Sequence, residues 1–390
     1  MDFARLIHPH GVAEFFASYY EARHLVIARN APGYYDGILS VDLLDRMLSH
    51  QYLNPAGLRI VKDGALVPAE RWTHSHERMS GPFKAVVQTE KIFAFFHEGS
   101  TIVIENADKS ISSLTEACRG FEQETHVRVQ ANIYLTPPSS QGFGRHYDDH
   151  DIFVLQVKGA KHWHLYDTGE ELPLVSGAFT REARPLDAFE LHAGDLLYLP
   201  RGVTHEAFST DVSTIHVNFA LKPPTGVDAI RSLAQFAEQD GFFRRAIPNR
   251  LANSEDRQAY AAQFAARLEA LLAAHPLEKM LMQQERDFEA KQTLDLRGLV
   301  HTALGLEALT VGSVMRRWPG RTALVEKDDR GTTIDFAGVR VMIPAFVNPA
   351  LLLAEEAFRV GAIQGMITDK GRIDLARSLA RAGYLQLMEI

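Results

Sequence analysis

The sequence predicts a mainly β chain with added α: a jelly roll, or double-stranded β-helix, then a helical segment and a small winged-helix-like end. One observation behind this is the density of short strands over residues 130–221. They read as ANIYLTP, DIFVLQVKG, KHWHLY, FELHAG, DLLYLP and TIHVNFAL, with turn clusters such as KGAK and HAGD between them. Another is the pair Pro223-Pro224 inside KPPTG, which ends the last of those strands. The third is the change of period beyond it, where Tyr260, Phe264 and Leu268 recur every fourth residue.

Up to about residue 108, short helices mix with strands. Residues 12–20 and 41–48 carry helical spacing, while HLVIAR, GLRIVKDG and STIVIEN read as strands. After the proline pair, Asn253 or Ser254 caps an expected helix running to about Ala274 and stopping at His275-Pro276. Its stripe continues through Leu271 and Leu272, and packs either on a second chain or on the protein's own barrel. From about residue 291, VHTALGLEAL reads as helix, TALVEKD and TTIDFAGVRVMIP as a two-stranded wing, and AFRVGAIQGMI and DLARSLARAGYL as helices. The expected division is 1–222 for the barrel, 223–290 for the helices and 291–390 for the winged-helix-like end. That end holds thirteen Lys and Arg against eleven Asp and Glu, with only Arg316, Arg317 and Arg321 clustered. DNA binding is therefore not expected of it, and a docking or structural role is.

Over 390 residues, 41 basic side chains face 49 acidic ones, a net charge of -8 that argues against a general polyanion binder. The single cysteine, Cys118, allows no internal disulfide and fits a reducing cytosol. No leader-like apolar core is read at the N-terminus, and no run approaches the roughly eighteen apolar residues of a membrane span. The expectation is a cytoplasmic protein that needs no membrane.

Among seventeen histidines there is one His-x-Asp, His146-Tyr147-Asp148, and no His-x-Glu. Residues two apart on a strand share a face, so this pair can grip one ion from one side. A histidine from a neighbouring strand would complete two imidazoles and a carboxylate, the facial set of non-haem Fe(II) oxygenases. Asp148-x-His150 is a competing pair on the same stretch; His150 otherwise serves as a neighbouring or substrate-side group. For the third ligand, His205 at the mouth after PRGVT competes with His216, which lies inside an apolar strand. His162 and His164 alternate onto a wall or surface face. Lys161 opens a strand after the turn at Gly159-Ala160 and could meet a carboxylate within the barrel, or be a solvated hairpin lysine; Lys158 is the one expected outside. Phe153, Leu155 and Leu197 are expected to supply a dry lining.

The run NIYLTPPSSQGFGRHYDDHDIFVLQVKGAKHWHLY, followed by GDLLYLPRGVTHEA and STIHVNF, closely resembles the JmjC-type cupin proteins called ribosomal oxygenases. The likeness is densest over residues 132–219 and looser through ARNAPGYYDGILS and LRIVKDG. The later segments match the family's layout of barrel, dimerisation helices and winged helix. The resemblance implies a homodimeric Fe(II)- and 2-oxoglutarate-dependent hydroxylase acting on protein side chains. It places the iron ligands on His146, Asp148 and His205, and the group holding the distal carboxylate of 2-oxoglutarate on Lys161. Asn132 and Tyr134 fall on pocket-lining positions, as does Asn218, where some relatives have Thr. The implied substrate is an arginine or histidine of a ribosomal protein; a histone-demethylase role has no chromatin-reading segment behind it. Two other readings use the same residues: a cupin-type metalloenzyme acting on a small molecule, and a non-catalytic metal-binding scaffold.

Overall fold

The computed structural model describes residues 1–49, 54–76, 84–167, 169, 171–179, 182–247, 254–291, 297–319, 323–336 and 338–389. They form two compact units, Met1–Pro223 and Pro224–Ile390.

The first unit is built on two antiparallel sheets. One has eight strands in the order Leu25–Ile27, Leu196–Leu199, Asp151–Lys158, Thr214–Leu221, Val129–Thr136, Thr101–Ile104, Leu58–Lys62 and Ala65–Leu66. The other has five, in the order Gly177–Ala178, His146–Tyr147, Thr204–Ser209, Ala160–Asp167 and Arg184–His192. The chain crosses repeatedly from sheet to sheet between residues 146 and 221, which is the jelly-roll path. Gly159 makes one crossing. Its φ is +70°, and a Cβ there would lie 2.4 Å from the Ser213 carbonyl oxygen. Gly159→Ala is therefore expected to cost at least about 2 kcal/mol through left-handed strain and overlap, read as a lowered melting temperature by calorimetry.

At the centre of the eight-stranded sheet, Asp151–Lys158 is buried on both faces over most of its length. Helices Phe3–Ile7, Val12–Ser18 and Ser112–Thr125 belong to the core on one side, where Phe3, Phe15, Phe121, Phe153, Phe219 and Tyr198 pack ring against ring at 4.8–5.8 Å. Ile152, Val154, Leu197 and Leu199 point the other way and meet Trp163, Leu165 and Leu191 of the five-stranded sheet. This corrects the expected lining at Phe153 and Leu155, while Leu197 does lie on the inner face. Phe153 and Leu155 lie on the helix-covered face, and the inner face of that strand is Ile152 and Val154. A strand buried on both faces reads as a continuous apolar run, so its pleat is not visible in the sequence.

The second unit begins with helix Gly226–Ala237. Thr225 caps it, and Asp228 reaches back to the Thr225 N–H at 2.9 Å. Helices Ser254–Ala274 and Leu277–Lys291 follow. The first begins at Ser254; Asn253, the other expected cap, lies outside the described residues, as does Arg321 of the expected cluster. A small core then gathers Met315, Ile334, Phe336, Leu352, Tyr384 and Leu385. It holds one sheet of Val314–Arg317, Phe358–Arg359 and Leu385–Glu389, and a meander of Leu324–Asp328, Gly331–Phe336 and Val339–Pro344. The expected two-stranded wing thus has three strands, because the turn before Val339 splits TTIDFAGVRVMIP into two. AFRVGAIQGMI is not an α-helix. It forms the strand Phe358–Arg359 and a single 3-10 turn, Val360–Ala362; Gly365 then takes a φ of +142° that a helix cannot hold. No helix among the described residues is long and apolar enough to cross a membrane.

Candidate functional site

Between the two sheets lies a cavity of about 750 Å³. His146 sits on a two-residue strand whose only ladder pair with Thr204–Ser209 is His146 opposite His205. Asp148 follows directly, and its backbone carbonyl accepts from the Gly202 N–H at 3.0 Å, which ties the two loops together. His146, Asp148 and His205 each offer a ligand atom within 4.8 Å of the others, and they are the one such group of three among the described residues. His146 Nε2 is 4.0 Å from Asp148 Oδ1, and His205 Nε2 is 3.8 Å from Asp148 Oδ2.

Both rings are anchored from behind. His146 Nδ1 donates to the Gly144 carbonyl at 2.8 Å and His205 Nδ1 to the Val203 carbonyl at 3.0 Å. With the proton on Nδ1, each Nε2 lone pair faces the shared space, as outer-shell carbonyls orient metal-binding histidines. Burial pushes the His205 pKa down to about 4, with the neighbouring His146 acting in the same direction, so its imidazole is neutral at pH 7. Two imidazole nitrogens and one carboxyl group suit a divalent first-row metal and leave positions open.

Deeper in the cavity is Lys161, 5% exposed. Among the described residues it has no ion-pair partner, and burial pushes its pKa down to about 7. His216 stacks on Tyr134 at 4.6 Å, and its own protonation is suppressed by burial and by Lys161. His216 Nδ1, Trp163 Nε1 and Asn218 Oδ1 are buried and have no hydrogen-bond partner among the described residues. An unpaired cation beside orphaned donors and acceptors is a pocket shaped for a small polar anion.

All seven site residues named from the sequence line this cavity. Asn132 is partly committed: its Oδ1 accepts from the Asn106 N–H and from Gln130 Nε2, both at 3.0 Å. His150 also lines the cavity but lies outside the three-ligand group, and its Nδ1 rests on Asp149 at 3.1 Å. The Asp148-x-His150 pair is therefore not assembled. His216 is a wall residue, and His162 faces outward beside Glu190 at 3.5 Å. Lys158 is exposed. Sequence reasoning missed Trp163, although it lies two residues beyond Lys161 on the same strand face. It also missed the Arg59–Glu105 pair at the cavity wall, 2.9 Å apart, which lies outside the motif-dense region.

A jelly roll with a two-histidine, one-carboxylate cluster between its sheets defines the class: a double-stranded β-helix protein whose facial cluster could hold a metal ion. Residues 107–229 match the JmjC domain family. It is similar to the bifunctional lysine-specific demethylase and histidyl-hydroxylase NO66 of Aedes aegypti, with 34% identity over 262 residues, covering 63% of this chain and 39% of that protein. The NO66 protein of Dictyostelium discoideum is 33% identical over 233 residues, covering 55% and 41%. The chain thus spans about two fifths of the length of these relatives. Its fold matches YcfD, a ribosomal oxygenase from Escherichia coli, with a TM-score of 0.58 over 97% of this chain and 98% of that one, at 17% identity. YcfD has also been solved in complex with cobalt and 2-oxoglutarate.

Proposed function

We propose that this chain is an Fe(II)- and 2-oxoglutarate-dependent dioxygenase that hydroxylates a histidine or arginine side chain of a protein, a ribosomal one in the first instance. The observation that carries this is the triad opening onto a cavity whose one unpaired buried cation is Lys161, counted among the described residues. Likeness to proteins named histidyl-hydroxylase and ribosomal oxygenase supports the same reading. The donor set fits iron, and the unpaired ammonium fits a dicarboxylate.

Iron with 2-oxoglutarate would supply the oxidising chemistry, in which oxygen is split between succinate and the hydroxylated product. The protein's work is positional. His146, Asp148 and His205 would hold the ion from one side and leave the other open. Lys161 would take the distal carboxylate, with Tyr134, Asn132 and Asn218 as walls. Ile152, Trp163 and Ala207 line the cavity between polar groups and keep bulk water from the reacting centre. A small-molecule cupin enzyme needs no such cosubstrate pocket, and a scaffold would form no product. Incubation with ribosomal proteins, Fe(II) and 2-oxoglutarate is expected to release succinate and add one oxygen, about 16 Da, to a single peptide by mass spectrometry. Metal-loaded protein that never makes succinate would overturn the reading.

Homodimerisation is proposed on the helices. Phe264, Leu268 and Leu272 of Ser254–Ala274 are 38%, 36% and 45% exposed, while Leu271 packs inward with Leu233 and Met280, and Tyr260 and Phe264 meet the rings of Phe242 and Phe243. Light scattering is expected to give twice the chain mass, and Leu268→Glu with Leu272→Glu the single mass. A cytoplasmic location follows from a ribosomal substrate and belongs to the same proposal.

A further inference from the structure

The strand that carries His146 has little backbone to hold it. It is two residues long, meets the His205 strand at one pair, and is flanked on its other side by the two-residue Gly177–Ala178. Pairing this sparse specifies register weakly, yet metal ligands need placement to within about 0.5 Å.

Successive residues on a strand point to opposite faces, so the neighbours of the two histidines, Arg145 and Glu206, lie back to back with them. Arg145 donates through a terminal guanidinium nitrogen to Glu206 Oε1 at 3.2 Å, and the Tyr166 hydroxyl donates to the same oxygen at 2.5 Å. Gln141 Nε2 donates to Glu206 Oε2 at 3.4 Å. The Arg145 guanidinium also lies 3.9 Å from the centre of the Tyr166 ring. One carboxylate thus gathers the loop before His146, the residue adjoining His146, and the strand on the far side of His205. An isolated exposed ion pair contributes little. Here the Glu206 side chain is only 19% exposed and accepts from three donors, the conditions under which such networks hold geometry.

We propose that Glu206 is a positioning residue for the metal centre: by gathering Arg145, Tyr166 and Gln141 behind the ligand strands, it sets the separation of the two histidine nitrogens. The inference rests on reading the triad as a metal site. Mn(II) is the probe ion for the full chain, with free ion counted and bound ion characterised by electron paramagnetic resonance. Glu206→Ala is expected to weaken Mn(II) binding by about 10–100-fold, the usual range for lost outer-shell support, and to broaden the bound-ion signal. Adding Arg145→Ala to it is expected to weaken binding no further, as members of one network are not additive. Glu206→Gln keeps the shape and one acceptor oxygen, so a several-fold weakening is expected; it carries the test if Glu206→Ala fails to fold. Unchanged affinity and signal in the folded variants overturn the positioning role. A wild-type chain that binds no Mn(II), or an Asp148→Ala chain that binds as tightly as wild type, overturns the metal-site reading instead.

Discussion

Lys161→Met is expected to make the ligand-free protein more stable while crippling its use of 2-oxoglutarate. The Lys161 ammonium is 5% exposed, unpaired among the described residues, and shifted by burial from 10.5 to about 7. Between those values the folded protein binds fewer protons than the unfolded chain, so stability rises with pH across that window. The penalty is full below about pH 7, on the order of 4 kcal/mol, and fades towards 10.5. Methionine matches the length without the charge and should recover about 2–4 kcal/mol at pH 7. Urea unfolding at pH 7 and pH 10 checks this, with the gain shrinking at the higher pH. In the same variant the KM for 2-oxoglutarate, read from succinate release, is expected to rise at least about 100-fold, the scale of a buried pair that loses one partner. Reduced stability with an unchanged KM would assign the lysine to structure.

Asp148→Ala is expected to abolish turnover and leave the fold intact. The side chain is 20% exposed, and the two imidazoles stand 3.8 and 4.0 Å from it without a hydrogen bond, so its loss should change stability by no more than about 1 kcal/mol. Outer-shell losses already cost 10–100-fold, so a lost ligand should cut succinate formation by more than about 100-fold. Thermal melts with and without Mn(II) provide the check: the ion should raise the midpoint of the wild type and not of the variant. Succinate production retained by Asp148→Ala would move the carboxylate role elsewhere.

The parts of the site legible in the sequence are those with local signatures. His146 and Asp148 stand two apart, His205 follows a turn, and Lys161 opens a strand after a glycine turn. The strands from residue 130 to 221 were legible for the same reason, since alternation and turn residues are local. The inner pleat of Asp151–Lys158 was not, because both of its faces are buried and Phe153 and Ile152 are equally apolar. Phe358–Arg359 was hidden because the segment AFRVGAIQGMI spaces its apolar residues as a helix would, and two residues carry no strand period. Arg145 and Glu206 carry no local signature, and only the register places them behind the histidines. That register depends on a ladder pair spanning distant parts of the chain, which no local window contains.

The pairing of His146 with His205 has a consequence for chain entropy. About sixty residues separate them, and that stretch includes several strands of both sheets. A cation shared by the two histidines closes this stretch into a loop, as a reversible covalent staple would. By the cross-linking relation for a loop of that length, the constraint removes on the order of 4 kcal/mol of freedom from the unfolded chain. That is a ceiling, realised to the extent that the cation stays bridged as the chain opens. An ion at the centre would then act as cofactor and clasp together.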